Sequence, residues 1–377
     1  MLNKKLVIGL LGIMLVSSLI IVITWLQIAS ISNSDSRISY IKHPILGPPS
    51  ATHISYSDID QDGDIDLLRT SYHDNIFCWW ENSGSEQFTY HIISNNFEEV
   101  QNIEAADMDN DGDIDLVGTG GLSNPIILFE NDGSQTFTGH ILIDTFNLVV
   151  WVSLGNIDND TDIDIVACAS GDDKLSWFEN QGNLTFTERI VTTSLGRAWE
   201  AYPVDMDYDG DKDLIALGTI PGEICWFEND GTQNFQKHIV YSTSEMTHGV
   251  VATDFDLDGD LDIAGCSITG DTVDWWESIE NFQYTHHIID NNFDGANYVN
   301  CGDIDLDGDI DLLASASGCD QLAYWENLGD KDFRKHIITT NFNGGRISPV
   351  DIDNDLDIDI IGVARNPWEF VWFENIS

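Results

Sequence analysis

The chain has 377 residues, 42% of them hydrophobic and 10% aromatic, which is ample for a large packed core and excludes a disordered acidic tail. Its 65 acids against 15 bases give a formal charge of -50 at pH 7, which excludes nucleic acid and anionic lipid surfaces as favourable partners. Acids this dense, interleaved with Trp, Phe, Ile and Leu, repel one another in a folded chain and require a cation.

In chain order, Lys4 and Lys5 precede an apolar or small stretch from Leu6 to Trp25 that continues through Leu26 and, past Gln27, to Ala29. A signal-peptide core runs about 7–15 apolar residues and a bilayer needs about 20. Residues 1–30 therefore read as a signal anchor or signal peptide, a transmembrane or signal helix whose cleavage, at Ser30 or Ser32, stays open. Lysines held inside place everything after residue 30 outside the cytoplasm, either membrane-anchored or secreted. Residues 31–37 are a polar linker, and the domain proper spans 38–377.

That domain is a repeat. Asp254-Phe255-Asp256-Leu257-Asp258-Gly259-Asp260-Leu261-Asp262 is one copy of D-x-D-x-D-G-D-x-D, and six others begin at Asp58, Asp107, Asn156, Asp205, Asp303 and Asp351. Successive starts lie 49 residues apart five times and 48 the last time. Around each loop the pattern predicts four short strands with turns between them. In one repeat these are Tyr298 to Cys301, Leu312 to Ser315, Gln321 to Glu326 and Phe333 to Ile338. Four strands of about five residues, with no helical periodicity, define a blade of an all-β, seven-bladed β-propeller.

Two landmarks recur in every blade. An aromatic-Glu-Asn signature stands at Trp80-Glu81-Asn82, Phe129-Glu130-Asn131, Phe178-Glu179-Asn180, Phe227-Glu228-Asn229, Trp325-Glu326-Asn327 and Phe373-Glu374-Asn375, and as Trp276-Glu277-Ser278 once. A fourth-strand histidine follows at His91, His140, His238, His287 and His336, with Arg189 in its place once. The seventh signature has no fourth strand after it, but Ile38-Ser39-Tyr40-Ile41-Lys42-His43 matches the missing one. The N-terminal strand is thus expected to complete the last blade and close the ring, removing its exposed edges.

The six cysteines do not read as disulfides. Cys78 and Cys225 share one repeat position and Cys168 and Cys266 another, while Cys301 and Cys319 fall at opposite ends of an antiparallel pair. Buried free thiols are expected.

The acidic loop has the chemistry of a hard-cation site: oxygens at alternate positions, a glycine for the sharp bend, and a last acid that closes the cage. Flexible carboxylates suit calcium, with six or more oxygens, better than magnesium, which keeps its waters. In the copy quoted the ligands read as the side chains of Asp254, Asp256, Asp258 and Asp262 with the Asp260 carbonyl. Folding is expected to depend on calcium.

These repeats resemble the FG-GAP/VCBS type found in integrin α-subunit heads and in many secreted propellers, and the resemblance covers residues 38–377. It implies up to seven calcium sites on one face of the disc and ligands on the other face or between blades. Carried over by position, the further calcium ligands are Asp58, Asp60, Asp62 and Asp66; Asp107, Asp109, Asp111 and Asp115; Asn156, Asp158, Asp160 and Asp164; and Asp205, Asp207, Asp209 and Asp213. Asp303, Asp305, Asp307 and Asp311, then Asp351, Asp353, Asp355 and Asp359, complete the set. Thr161 and Leu356 replace the glycine, so those two loops are expected to bind more weakly.

Function is sought where the copies differ. Five residues before each loop stand His53, Asn102, Trp151, Glu200, Gly249, Tyr298 and Arg346, and one residue earlier Trp199 and His248 break the pattern. The next position is apolar throughout, from Ile54 to Ile347. A varied rim of His53, Asn102, Trp151, Trp199, Glu200, His248, Tyr298 and Arg346, facing away from the calcium loops, suits a saccharide or a peptide. Arg197, Arg365 and Trp368 lie on neighbouring loops. Three readings follow: a monomeric cell-surface adhesion or binding module for carbohydrate or a surface protein, a sugar-active lyase or dehydratase using Glu200, His248 and Arg346, or a structural spacer. No nucleophile motif supports the enzyme.

Overall fold

The computed structural model describes residues 38–377 apart from 49, 85–86, 121–124, 183 and 280–281. The apolar segment of residues 1–30 and the linker of residues 31–37 lie outside the described residues. Among the described residues no helix is long and apolar enough to cross a membrane.

Seven antiparallel four-stranded sheets form the blades of a propeller. Blade one is His53–Ser57, Asp66–Ser71, Ile76–Asn82 and Phe88–Ser94. The innermost strands of blades two to seven are Asn102–Ala106, Val149–Gly155, Ala198–Val204, Thr247–Thr253, Ala296–Gly302 and Ile347–Val350, and each packs beside the next around the axis. Second strands are buried along their whole length, apart from the exposed Arg365 that ends the seventh, because blades cover both of their faces. That is why they read as unbroken apolar or small runs rather than as alternating ones. Fourth strands face water on one side and alternate. In six blades the fourth strand carries a β-bulge near its end, as between Phe77 and Cys78 or Leu322 and Ala323 on the partner strand, which blunts the outer edge against pairing with other chains.

The core lies between blades. One cluster joins Cys266 and Trp275 of blade five to Val299, Ala314 and Trp325 of blade six. All six cysteines are free. Each signature glutamate meets the fourth-strand His or Arg beside it: Glu81 and His91 are 2.8 Å apart, Glu179 and Arg189 2.6 Å, and Glu326 and His336 2.6 Å. The imidazole also stacks on an aromatic ring of the third strand, His91 on Trp79 and His238 on Trp226. These histidines are scaffold, and so is His286, which pairs with Asp274 at 2.8 Å.

Tyr40–Pro44 pairs with Trp368–Asn375 and completes blade seven, with Tyr40 opposite Asn375 and His43 opposite Trp372. This is the ring closure expected from sequence, with the strand starting two residues later than Ile38. The chain then runs between blades seven and one, where the Trp80 indole donates to the Leu46 carbonyl (2.9 Å) and the Arg69 guanidinium to the Pro48 carbonyl. Arg69 is buried against Trp80 and Phe370, its guanidinium carbon 5.2 and 5.4 Å from the ring centroids. Other blades have Gly118, Ala167, Ala216, Gly265, Ala314 or Gly362 at that position. One large cation therefore fastens the latch at the place where the ring closes.

Candidate cation loops and axial channel

Each acidic loop is folded by its own carboxylates. In blade one the amides of Asp62 and Gly63 donate to the two oxygens of Asp58 (both 3.0 Å), and the Asp64 amide donates to Asp62 (3.0 Å). The sixth position has positive φ in every loop, 96° to 100° at the five glycines and 79° at Leu356 and 144° at Thr161, which a side chain adopts only under strain. The loop starting at Asn156 lacks the sixth-position bond that Asp58, Asp107, Asp205, Asp254, Asp303 and Asp351 accept.

The ninth acid does more than close a cage. Both oxygens of Asp66 accept backbone amides, from Ile59 (2.9 Å) and Asn82 (2.7 Å), tying the loop to the end of the third strand. Asn82 completes the staple by donating its side-chain amide to Ile65 and, across the blade boundary, to Ile352. Burial pushes the Asp66, Asp164, Asp213, Asp262 and Asp359 carboxyls up to about 7, Asp115 to about 6 and Asp311 to about 8, against those amide bonds, which pull them down.

The donor set fits a hard cation. Carboxylate oxygens of Asp107, Asp109 and Asp115 lie within 4.8 Å of one another, as do those of Asp205, Asp207 and Asp213, and of Asp254, Asp256 and Asp262. Asp58, Asp60 and Asp62, and Asp303, Asp305 and Asp307, form equivalent groups. The first-position Oδ1 of Asp107, Asp205, Asp303 and Asp351 is buried without a hydrogen-bond partner among the described residues. The same oxygen orphaned in four loops is what an inward-facing ligand atom looks like.

Neighbouring loops also clasp one another, a feature the sequence reading missed. The fourth position is left-handed in all seven loops, with φ between 56° and 62°. Where it is asparagine it reaches the seventh-position acid of the next blade: Asn110 to Asp162 (2.7 Å), Asn159 to Asp211 (2.7 Å) and Asn354 to Asp64 (2.8 Å). Leu306 holds the same strained conformation with no such bond, and Asp357 Oδ1 is left buried and unpartnered beside it. Leu306→Asn is therefore expected to raise stability by about 1–2 kcal/mol, through relief of the left-handed strain and one new hydrogen bond. Chemical denaturation measures this, and Leu257→Asn serves as the parallel case.

Antiparallel blades put these loops on one face and the strand starts towards the other. The sequence reading expected an open rim there; the structure places most of it inside the channel, because innermost strands converge on the axis. His53, Asn102, Trp151 and Glu200 are buried. The Arg346 guanidinium lies 4.1 Å from the Trp151 ring centroid and 4.9 Å from that of Tyr298, and donates to the Tyr298 hydroxyl (3.0 Å). Asn102 Nδ2 donates to His53 Nε2 (3.0 Å), and His53 packs edge-on to Trp151. Trp199 and His248 form a second pair, ring centroids 4.8 Å apart, with His248 Nδ1 donating to the Asn297 carbonyl (3.1 Å). His248 is thus engaged with Trp199 and backbone and Arg346 with Trp151 and Tyr298, and no hydrogen bond or ion pair joins Glu200, His248 and Arg346 directly among the described residues.

Burial holds both imidazoles neutral, driving His53 well below its usual range and His248 down to about 3 with Arg365 adding to the effect. It pushes Glu104 up to about 8 and Glu200 to about 7, while Arg346 draws both back. Glu104 was missed in the sequence because it stands three residues before its loop, at a position that mostly staples blades together. There Ser55 donates to the Ile103 carbonyl (2.8 Å), Ser153 to Ala201 (2.7 Å) and Tyr202 to Val250 (2.6 Å). On the far face, hairpin turns expose His73 and Trp368, ring centroids 5.8 Å apart, together with Arg197 and Arg365.

The FG-GAP-like repeat family matches this chain at residues 58–118, 107–167, 156–216, 209–265 and 303–362. Among curated proteins none matches the sequence. Among solved structures, virginiamycin B lyase from Staphylococcus aureus superposes with a TM-score of 0.62 at 12% identity, covering 90% of this chain and 100% of that one. BBS1N, solved in complex with ARL6DN, gives 0.61 at 10% identity over 89% and 97% of the two chains. A functionally unknown protein from Desulfotomaculum acetoxidans gives 0.55 at 14% identity over 81% and 90%. At these identities the likeness is one of fold alone.

Proposed function

Because the chain belongs to the FG-GAP-like repeat family, we propose that it is a calcium-stabilised, extracytoplasmic binding module that recognises carbohydrate or a surface protein. The observation that carries this reading is the division of labour between faces. One face is committed to repeated acidic loops, and the other exposes unrepeated side chains, His73, Trp368, Arg197 and Arg365, with the partly exposed Trp199 packed on the buried His248. Flat aromatic faces suit the apolar faces of sugars, and guanidinium groups suit hydroxyls and carboxylates. Calcium is supported by the donor chemistry of the loops and by a charge of -50 that a folded chain must offset. Export is supported by the lysine-flanked apolar stretch of residues 6–29, and a monomer by the charge that repels a second copy.

A glycan and polysaccharide panel, screened with calcium and again with chelator, tests the proposal. A calcium-dependent ligand whose binding falls at least tenfold in Trp199→Ala or Trp368→Ala is the expected result. Binding that survives both substitutions places the site elsewhere, and a panel without any ligand moves the proposal to a protein partner.

A further inference from the structure

We propose that the open axial cavity lined by the innermost strands of blades two to six is a binding site for a small organic ammonium ion. The cavity measures about 500 Å³, and the side chains that decide its chemistry are Glu104, Glu200, Trp151, Tyr202, Tyr298 and Asn300. Its lining therefore holds two glutamate carboxyls and no basic side chain. Every signature glutamate of the scaffold pairs with a half-exposed or exposed His or Arg side chain, whereas neither of these two lies within 4.0 Å of a Lys or Arg nitrogen among the described residues. The ion-pair partner of Glu104 is His53 at 3.5 Å, which burial keeps neutral. Glu200 is only 3% exposed, and its Oε2 has no hydrogen-bond partner among the described residues.

A carboxyl in such a cavity is costly as an anion unless a cation or donors meet it; burial favours the protonated form of both acids, and a ligand that brings positive charge competes with that proton. Arg346, which is not among the lining side chains, supplies part of that positive charge, and its guanidinium is also occupied by the rings of Trp151 and Tyr298 and by the Tyr298 hydroxyl. Aromatic faces at the cavity wall attract a desolvated ammonium group and fit its methyl or methylene surface. A bare metal ion finds too few converging oxygens in so wide a space, and an anion meets two acids. The site rests neither on calcium in the loops nor on the far-face reading.

Calorimetric titration of the full chain in saturating calcium with choline, and with its neutral isostere 3,3-dimethylbutan-1-ol, tests the proposal. Choline is expected to bind at least tenfold more tightly than the isostere. Glu200→Gln and Glu104→Gln, which keep shape and remove charge, are each expected to weaken choline at least tenfold without lowering the melting temperature. Equal affinity for choline and isostere, no choline binding, acetate bound in preference, or undiminished affinity in both glutamine variants overturns the proposal. If a variant fails to fold, the choline-isostere comparison on the unaltered chain decides. Loss of glycan binding with choline binding intact would count against the far-face reading alone.

Discussion

Stripping divalent cations with EDTA lowers the melting temperature of the propeller by more than about 10 °C, and millimolar calcium restores it. A cation that binds only the folded state adds roughly 2.7 kcal/mol per site at a hundred times its Kd. Five loops keep the glycine that their sixth position needs, those beginning at Asp58, Asp107, Asp205, Asp254 and Asp303. At that occupancy they supply on the order of 13 kcal/mol, while 1 kcal/mol shifts a domain of this size by about 2 °C. Without the cation, the first-position oxygens of Asp107, Asp205, Asp303 and Asp351 stay buried without a hydrogen-bond partner among the described residues. Differential scanning calorimetry in calcium, in EDTA and in matched sodium chloride measures the effect, with the sodium control expected to leave the EDTA value unchanged.

Deleting residues 1–44 is the second large effect, expected to destabilise the domain by at least about 5 kcal/mol and to promote aggregation. The deletion removes the strand Tyr40–Pro44 and its whole ladder with Trp368–Asn375. It also removes the Lys42–Glu369 pair, the His43–Glu374 pair at 2.6 Å and the stacking of His43 on Trp372. What remains is an open edge next to an apolar inter-blade cluster that includes Ile45, Trp80 and Trp372. Adding a peptide of residues 38–47 in trans should recover part of the lost melting temperature. A truncated chain that melts as the intact one does would show that the ring is held without its latch.

The blades were legible because a period of 49 residues carries the strands, the loops and the signature in step, and the closing strand because its pattern is displaced to the other end of the chain. The pairing of Arg189 with Glu179 shows how far this reached: the one departure from histidine kept the charge that the glutamate needs. Less was legible where side chains leave their own repeat. That Leu306 and Leu257 sit in a left-handed conformation follows from loop closure rather than from residue type. Position three before each loop looks variable, yet Ser55, Ser153 and Tyr202 each reach the next blade's carbonyl, a contact seen only once the blades are side by side. The repeat shows which strand-start positions vary, but not that most of them turn into the channel. Arg346 is long enough to lie across Trp151 three blades away around the ring, and nothing in the spacing says which way it turns.

The most direct measurement is a calcium titration of the EDTA-stripped chain by isothermal calorimetry, with stoichiometry as the readout. Between five and seven ions should bind, five being the loops that keep glycine and seven the full set, and Asp256→Asn should remove one without disturbing the rest. Less than one ion bound per chain at millimolar calcium would contradict the account, leaving the acidic loops as hydrogen-bonded turns that hold the blades without metal.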